Sequence, residues 1–230
     1  MFSSKDKILI IAAHPDDEVI GCGGTIIKAK TKNCKVSVLF LGEGVSTRYP
    51  NLEKSTKALN ALKQRELSAK KCLKVLNVDE VEYHRNFCTR FDQYPLIDFV
   101  RIIEKKIKNF KPSIIFTHNQ SELNIDHQLT FKATEVACRP LKNSSIKKIF
   151  SYEAVCSGNF TFEKKFNPNV YVDIKKFFKK KIVAFRNYKN EIKKYPFPRS
   201  IKGIEILARY RGLQSGLEFA EAFRLEREIS

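Results

Sequence analysis

The stretch Lys7-Ile8-Leu9-Ile10-Ile11-Ala12-Ala13, followed at once by His14-Pro15-Asp16-Asp17-Glu18, decides the fold and holds much of the chemistry. Its first part is apolar at successive positions, which is typical of a strand buried on both faces of a parallel sheet. One imidazole and three carboxylates then stand on the turn that leaves this strand. Carboxylates this close repel one another, and a divalent cation relieves that repulsion. The stretch therefore predicts a metal site at the end of the first strand.

Further short apolar runs alternate with helical patterns along the chain. Apolar residues spaced three and four apart predict helices over 55–76, 95–110, 126–138 and 175–195. Strands are predicted over 36–41, 81–84, 113–118, 146–154 and 170–174. This alternation indicates an α/β fold with a Rossmann-like, mostly parallel sheet and helices on both faces. We expect residues 1–230 to form one domain.

The composition favours a folded, cytoplasmic protein. Apolar residues make up 43% of the 230 residues and charged residues 30%. No apolar run approaches the roughly 20 residues of a transmembrane helix, and the first apolar stretch is too short for a signal peptide. The 6 Cys include no C-x-x-C pair, which fits a reducing compartment.

The formal net charge of +18 raises the question of an anionic partner. The lysines are spread over many segments, and no nucleic-acid-binding motif accompanies them. We interpret the charge as a lysine-rich surface and do not expect nucleic acid as a partner. A basic α/β module that binds nucleic acid or an anionic polymer is the non-enzymatic alternative. The sequence leaves open whether the chain forms a homo-oligomer.

A second group of metal-ligand residues follows the strand predicted over 113–118. His118 ends that strand, and Asp126 and His127 follow after a short loop. Ligands of open α/β sheets bind outside the carboxyl ends of the strands, so these residues are expected near His14 and Asp17. Two histidines and one carboxylate, with a position open to water, form a catalytic zinc set. The same set also holds iron in non-haem oxygenases, so the residues alone leave both chemistries open.

Three motifs add a family resemblance. AHPDDE at 13–18, GCGGT at 21–25 and NIDH at 124–127 resemble the PIG-L/LmbE-like family of zinc-dependent N-acetylglucosaminyl deacetylases. The resemblance covers nearly the whole chain. The tail segments FPRS, RYRG and EFAEAF look like the bacterial branch associated with surface-polysaccharide sugars.

This resemblance implies roles for particular residues. His14, Asp17 and His127 match the ligands of one Zn²⁺ per chain, for which Fe²⁺ can substitute. Asp16 matches the general base that activates the zinc-bound water, and Asp126 is expected to orient a neighbouring group. The implied substrate is an N-acetylated amino sugar or a nucleotide sugar.

Asn124 departs from the family pattern, because many members carry a histidine three residues before the last ligand. An asparagine can donate a hydrogen bond to an oxyanion but cannot supply a proton. Either Asp16 or His118 must therefore return the proton to the leaving amine, and we expect Asp16 to do so. His118→Ala should then keep substantial activity, whereas Asp16→Asn should lose nearly all.

Candidate substrate contacts come from three arginines and one histidine. Arg65 stands beside Glu66, which falls in the apolar stripe of its helix, so Arg65 either contacts the substrate or joins a buried ion pair. Arg211, with Arg199 and Arg209, would suit a phosphate or carboxylate. The substrate-binding candidates are Arg48, Arg65, His118 and Arg211. The glycines at 21–25 lack the spacing of a phosphate loop and indicate either a close backbone approach to the metal-binding turn or tight helix packing.

Overall fold

Seven strands form one sheet at the centre of the computed structural model, which describes residues 2–49, 55–162 and 165–229. The strand order is β3-β2-β1-β4-β5-β7-β6. The first five strands of this order are parallel, and β7 runs antiparallel to both of its neighbours. The sequence-based prediction of a mostly parallel sheet is confirmed. The strands are β1 (Lys7–Ala12), β2 (Lys35–Gly42), β3 (Glu80–Asn86), β4 (Ile114–His118), β5 (Lys148–Tyr152), β6 (Val170–Asp173) and β7 (Ala220–Glu228).

Two hydrophobic cores lie on the two faces of the sheet, because successive side chains of a strand point in opposite directions. Ile8 and Ile10 of β1 belong to one core, and Leu9 and Ile11 belong to the other. Helices α1 (Asp17–Lys30), α2 (Thr56–Leu76), α5 (Phe178–Phe185) and α6 (Ile201–Leu213) pack into the first core. Helices α3 (Leu96–Phe110) and α4 (Ile125–Ala137) pack into the second core. Helices therefore cover both faces, as the sequence predicts.

The strand order changes direction between β1 and β4, which are neighbours although β2 and β3 come between them in sequence. A crevice opens at such a switch point, outside the carboxyl ends of the strands. The turn after β1 and the segment after β4 both lie at this crevice. The fold thus brings His14 and His127 to one edge of the sheet.

The glycine stretch lets α1 lie close to its neighbours, which confirms the packing interpretation. A Cβ atom at Gly21 would lie 2.3 Å from Cδ2 of Tyr152, and one at Gly24 would lie 2.6 Å from Cγ2 of Ile174. Only glycine fits at such distances. This packing fixes the position of α1 and therefore the position of Asp17, its first residue.

The carboxyl-terminal third differs from the sequence-based prediction. The helix expected over 175–195 is only α5, because the chain turns after Phe185. Lys181 is an exception to the lysine-rich surface inferred from the sequence, because it is 3% exposed and bonded to Glu221 at 2.6 Å. Helix α6 and strand β7 were not predicted. None of the described helices is both long and apolar enough to cross a membrane.

Candidate active site

The turn between β1 and α1 has a constrained backbone. Asp16 has φ 124°, a value that residues other than glycine rarely adopt. The backbone N–H of His14 donates to Oδ2 of Asp17 at 2.8 Å, and that of Asp16 donates to Oε2 of Glu18 at 2.9 Å. These two hydrogen bonds hold the carboxylates of Asp17 and Glu18 in fixed positions.

Three side chains form a set that can hold a metal ion. His14, Asp17 and His127 are all buried, and their ligand atoms lie within 4.8 Å of one another. Nδ1 of His14 is 3.6 Å from Oδ2 of Asp17, and Nε2 of His127 is 3.5 Å from Oδ1. A tetrahedral ion with bonds of about 2.0–2.1 Å spaces its ligands roughly 3.3 Å apart. The donor set and its spacing fit a zinc ion.

In each histidine of this set, the second ring nitrogen lies within hydrogen-bond distance of a carboxylate. Nε2–H of His14 donates to Asp126 at 2.7 Å, and Nδ1 of His127 lies 3.2 Å from Oε2 of Glu122. Such partners fix the ring orientation and direct the other nitrogen toward a metal. Asp126 also accepts from the backbone N–H of Phe91 at 3.0 Å, so it is itself held in place. The orienting role expected of Asp126 agrees with this geometry.

A second group, formed by His14, Cys88 and Asp126, also has ligand atoms within 4.8 Å of one another. Its His14 nitrogen and Asp126 oxygen are 2.7 Å apart, the distance of a direct hydrogen bond. An ion between them would have to break that bond. The first group is therefore the better metal site.

Asp16 lies between two guanidinium groups. Arg65 approaches Oδ1 at 3.2 Å, and Arg199 approaches Oδ2 at 3.3 Å. Burial raises the pKa of Asp16 to about 6, although both arginines pull it down. Burial also opposes ionisation of Asp17, but His127 and His118 hold the pKa of Asp17 well below its usual range. The two adjacent carboxyls thus have pKa values pushed apart, as expected where one is a base and the other a ligand.

Glu191, which sequence reasoning missed, links the arginines of the site. Its carboxylate accepts two hydrogen bonds from Arg48 at 2.8 Å each, contacts Arg65 and lies 3.8 Å from Arg199. Its side chain is only 2% exposed. Burial raises the pKa of Glu191, but the hydrogen bonds from Arg48 and the charge of Arg65 together bring it down to about 2. The sequence around Glu191 gives no indication of this role, because Arg48 and Arg65 come from distant parts of the chain.

A cavity of about 220 Å³ opens onto these groups. Two buried N–H groups of its arginines, Nε of Arg65 and Nε of Arg199, have no hydrogen-bond acceptor among the described residues. They are available to a ligand oxygen. Of the candidate residues, the cavity is lined by His14, Asp16, Asp17, Arg48, Arg65, Asn124 and His127.

Asn124 also has a structural role. Its Oδ1 accepts the backbone N–H of Asp126 at 2.9 Å and caps α4, the helix that carries His127. Its side-chain N–H₂ group remains a donor on the cavity wall.

His118 and Arg211 lie outside this cavity's lining. His118 is fully buried, accepts the backbone N–H of Ala13 at 3.0 Å and stacks on His127 with ring centroids 3.9 Å apart. Burial and the nearby His127 lower the pKa of His118 to about 4. His118 therefore packs against His127 and the end of β1, and it helps to hold the His14–Asp17–His127 set in position. Arg211 donates twice to Glu153 at 2.7 Å, and it lines a separate small cavity beside α6.

Arg65 joins a buried ion pair, as one of the two sequence-based alternatives has it, but the adjacent Glu66 is not its partner. Glu66 accepts from Arg85 of β3 at 2.7 and 3.1 Å. Arg65 instead pairs with Asp16 and Glu191 and faces the cavity.

Two known proteins are similar to this chain in sequence. The chain is 27% identical over 199 residues to the uncharacterized deacetylase YaiS of Escherichia coli, which covers 83% of this chain and 96% of that protein. It is 26% identical over 236 residues to the diacetylchitobiose deacetylase of Thermococcus kodakarensis, across 97% of this chain and 84% of that one.

Among solved structures, the N,N'-diacetylchitobiose deacetylase of Pyrococcus horikoshii superposes with a TM-score of 0.76 at 22% identity, covering 96% of this chain and 83% of that chain. At this identity the superposition shows a shared fold. The family described as PIG-L, GlcNAc-PI de-N-acetylase, matches residues 9–138, which include the turn after β1 and both histidines of the metal set. The chain belongs to the PIG-L family.

Proposed function

We propose that this protein is a zinc-dependent hydrolase that removes the acetyl group from the nitrogen of an amino sugar, either free or carried on a nucleotide or glycoconjugate. The observation that carries the proposal is the shared cavity: His14, Asp17 and His127 lie at one wall, and Asp16 lies beside them. Membership of a de-N-acetylase family supports the reaction class. Both curated relatives are named deacetylases, and one is named for diacetylchitobiose.

His14, Asp17 and His127 would hold the zinc ion, and a zinc ion so bound polarises a carbonyl and lowers the pKa of water. Asp16 accepts the proton of the water that attacks the amide carbon. The same carboxyl then gives that proton to the sugar nitrogen as the C–N bond breaks, leaving acetate and an amine. A buried carboxyl with a raised pKa is suited to both transfers.

The remaining cavity groups bind and orient. The side-chain N–H₂ of Asn124 donates to the oxygen that becomes negative during attack. The unpaired Nε–H groups of Arg65 and Arg199 donate hydrogen bonds to substrate oxygens, because a buried donor left unpaired costs about 1–3 kcal/mol. Arg48 and Glu191 hold these arginines in place.

The test is acetate release across a panel of N-acetyl sugars, including UDP- and GDP-linked ones. The protein is stripped with a chelator and then reloaded with zinc or with iron, and oxygen uptake is recorded in parallel. We expect zinc to restore acetate release, and we expect Asp16→Asn to bind zinc normally while losing nearly all activity. Acetate release that persists in the stripped protein, or oxygen uptake by the iron form, would contradict the proposal.

A further inference from the structure

Large apolar side chains are exposed around the mouth of the cavity. Three loops each supply a lining residue to it: Asn124 before α4, Cys156 after β5 and Arg199 before α6. Exposed apolar residues flank each of these positions. They are Leu123, 57% exposed, Phe160, 49%, Phe162, 99%, and Phe197, 38%.

These four residues, which we call the apolar rim, are neighbours in space. The rings of Phe160 and Phe197 lie 6.3 Å apart, edge to face. Leu123 and Phe162 line one open groove. The loop between Cys156 and Phe162 also approaches the 122–124 segment, because a Cβ atom at Gly158 would lie 3.0 Å from Oε1 of Glu122. A clustered, exposed apolar surface beside a cavity marks an interaction site.

The exposed charges of the segment 187–202, which contains Phe197, all have the same sign. The segment 187–202 carries Lys189, Lys193, Lys194 and Lys202, all of which are exposed. Its one carboxylate, Glu191, is buried against the arginines of the site. The exposed charges of this segment are therefore all positive, and they adjoin the apolar side chains.

We propose that the apolar rim and these lysines dock the protein on an anionic phospholipid surface, with the cavity mouth facing the headgroups. Phenylalanine and leucine partition into the interfacial region of a bilayer, and nearby lysines are attracted by acidic headgroups. None of the four rim side chains offers a hydrogen-bonding group for sugar hydroxyls, so a soluble polysaccharide fits this surface less well. The proposal rests on the proposed function in one respect, because it implies that the acylated sugar is presented at a membrane.

The test is co-sedimentation with vesicles of phosphatidylglycerol and phosphatidylcholine at equal amounts, and with vesicles of phosphatidylcholine alone. We expect binding to the anionic vesicles that weakens with salt, and little binding to the neutral ones. Phe162→Ser should weaken binding about tenfold, because it removes a ring that is exposed in the free protein and becomes buried in the bilayer on docking. The double variant Lys193→Glu, Lys194→Glu should weaken binding about 25-fold or more, since each lysine contributes roughly fivefold.

Matched controls lie away from the rim. Leu213→Ser changes a residue that is 81% exposed at the far end of α6, which begins at the rim. Lys108→Glu changes an exposed lysine near Phe110, whose carbonyl is bonded to Lys7 at the opposite end of β1. Both controls should bind vesicles like the unchanged protein.

Absence of vesicle binding, or equal losses in the rim and control variants, would overturn the proposal. Binding of the rim to a soluble N-acetylated polysaccharide without vesicle binding would also overturn it. Vesicle binding does not depend on catalysis. Rim-dependent vesicle binding by a protein that releases no acetate would refute the proposed function alone, and acetate release without vesicle binding would refute the docking surface alone.

Discussion

Replacing Glu191 with glutamine tests whether the arginine cluster supports both stability and catalysis. The substitution keeps the size of the side chain but removes its charge, so Arg48, Arg65 and Arg199 lose a shared partner. In the folded protein the pKa of Glu191 is about 2, against a usual value of 4.5. That difference corresponds to about 3 kcal/mol of stabilisation at neutral pH.

The sign of the pH dependence follows from the lowered pKa. A carboxyl whose pKa is lower in the folded state stabilises the fold fully above its unfolded pKa. This stabilisation is lost as the pH falls from about 4.5 toward 2. Urea unfolding should therefore show Glu191→Gln to be about 3 kcal/mol less stable than the parent at pH 7, with the gap closing on acidification. A gap that is absent at pH 7, or that widens in acid, would refute the reasoning.

Catalysis gives the second readout. Arg65 and Arg199 contact Asp16, so loss of Glu191 should also lower kcat for acetate release. Glu153→Gln is the matched control, because Glu153 accepts two hydrogen bonds from Arg211 away from the cavity. We expect the control to keep kcat, because Glu153 lines the separate small cavity beside α6 and not the cavity of the site. An equal loss of kcat in both variants would mean that the effect of Glu191 does not depend on its contacts with Arg65 and Arg199.

Three further substitutions follow from the geometry. Asp126→Asn weakens the support of His14, so zinc affinity measured by competition with a chelator should fall about 10- to 100-fold; an unchanged affinity would contradict this role. His118→Ala removes a buried ring, so unfolding should show a loss of about 2–4 kcal/mol. This variant should still release acetate, and a loss as deep as that of Asp16→Asn would count against a supporting role. Gly24→Ala places a methyl group against Ile174 and should cost about 1–3 kcal/mol in thermal or urea unfolding; unchanged stability would show that α1 can shift freely.

The amino-terminal half of the fold and the metal set could be predicted from the sequence because their signals are local. The apolar stretch of β1 and the turn that carries His14 and Asp17 are contiguous. The strand that ends at His118 and the loop before His127 follow the same strand-to-turn pattern. The rule that strand ends meet at one edge of an α/β sheet was then sufficient to bring the two segments together.

The carboxyl-terminal part could not be predicted in this way. Apolar spacing continues past Phe185 to Ile192, so periodicity alone extends the helix too far. The chain turns instead, and the hydroxyl of Tyr188 donates to Oε1 of Glu18 at 2.7 Å. This long-range contact has no local signature. Strand β7 was missed because its charged residues obscure the alternation of apolar and polar positions that is typical of a strand. One of these residues, Glu221, is buried and accepts the backbone N–H groups of Gly24 and Thr25.

Under the proposed function Asp16 acts as a base between two arginines, and its burial and long-range contacts explain how it can do so. Two guanidinium groups beside one carboxylate would hold its pKa low and make it a poor proton acceptor. Burial is the largest effect that raises the pKa of Asp16, and Glu191, which lies against both arginines, raises it further through its own charge. The metal set comes from residues 9–138, the part that the family match covers, whereas Glu191 and Arg199 come from the segment beyond it. The pKa of Asp16 therefore depends in part on the carboxyl-terminal segment, and variation there can change this pKa without any change in His14, Asp17 or His127.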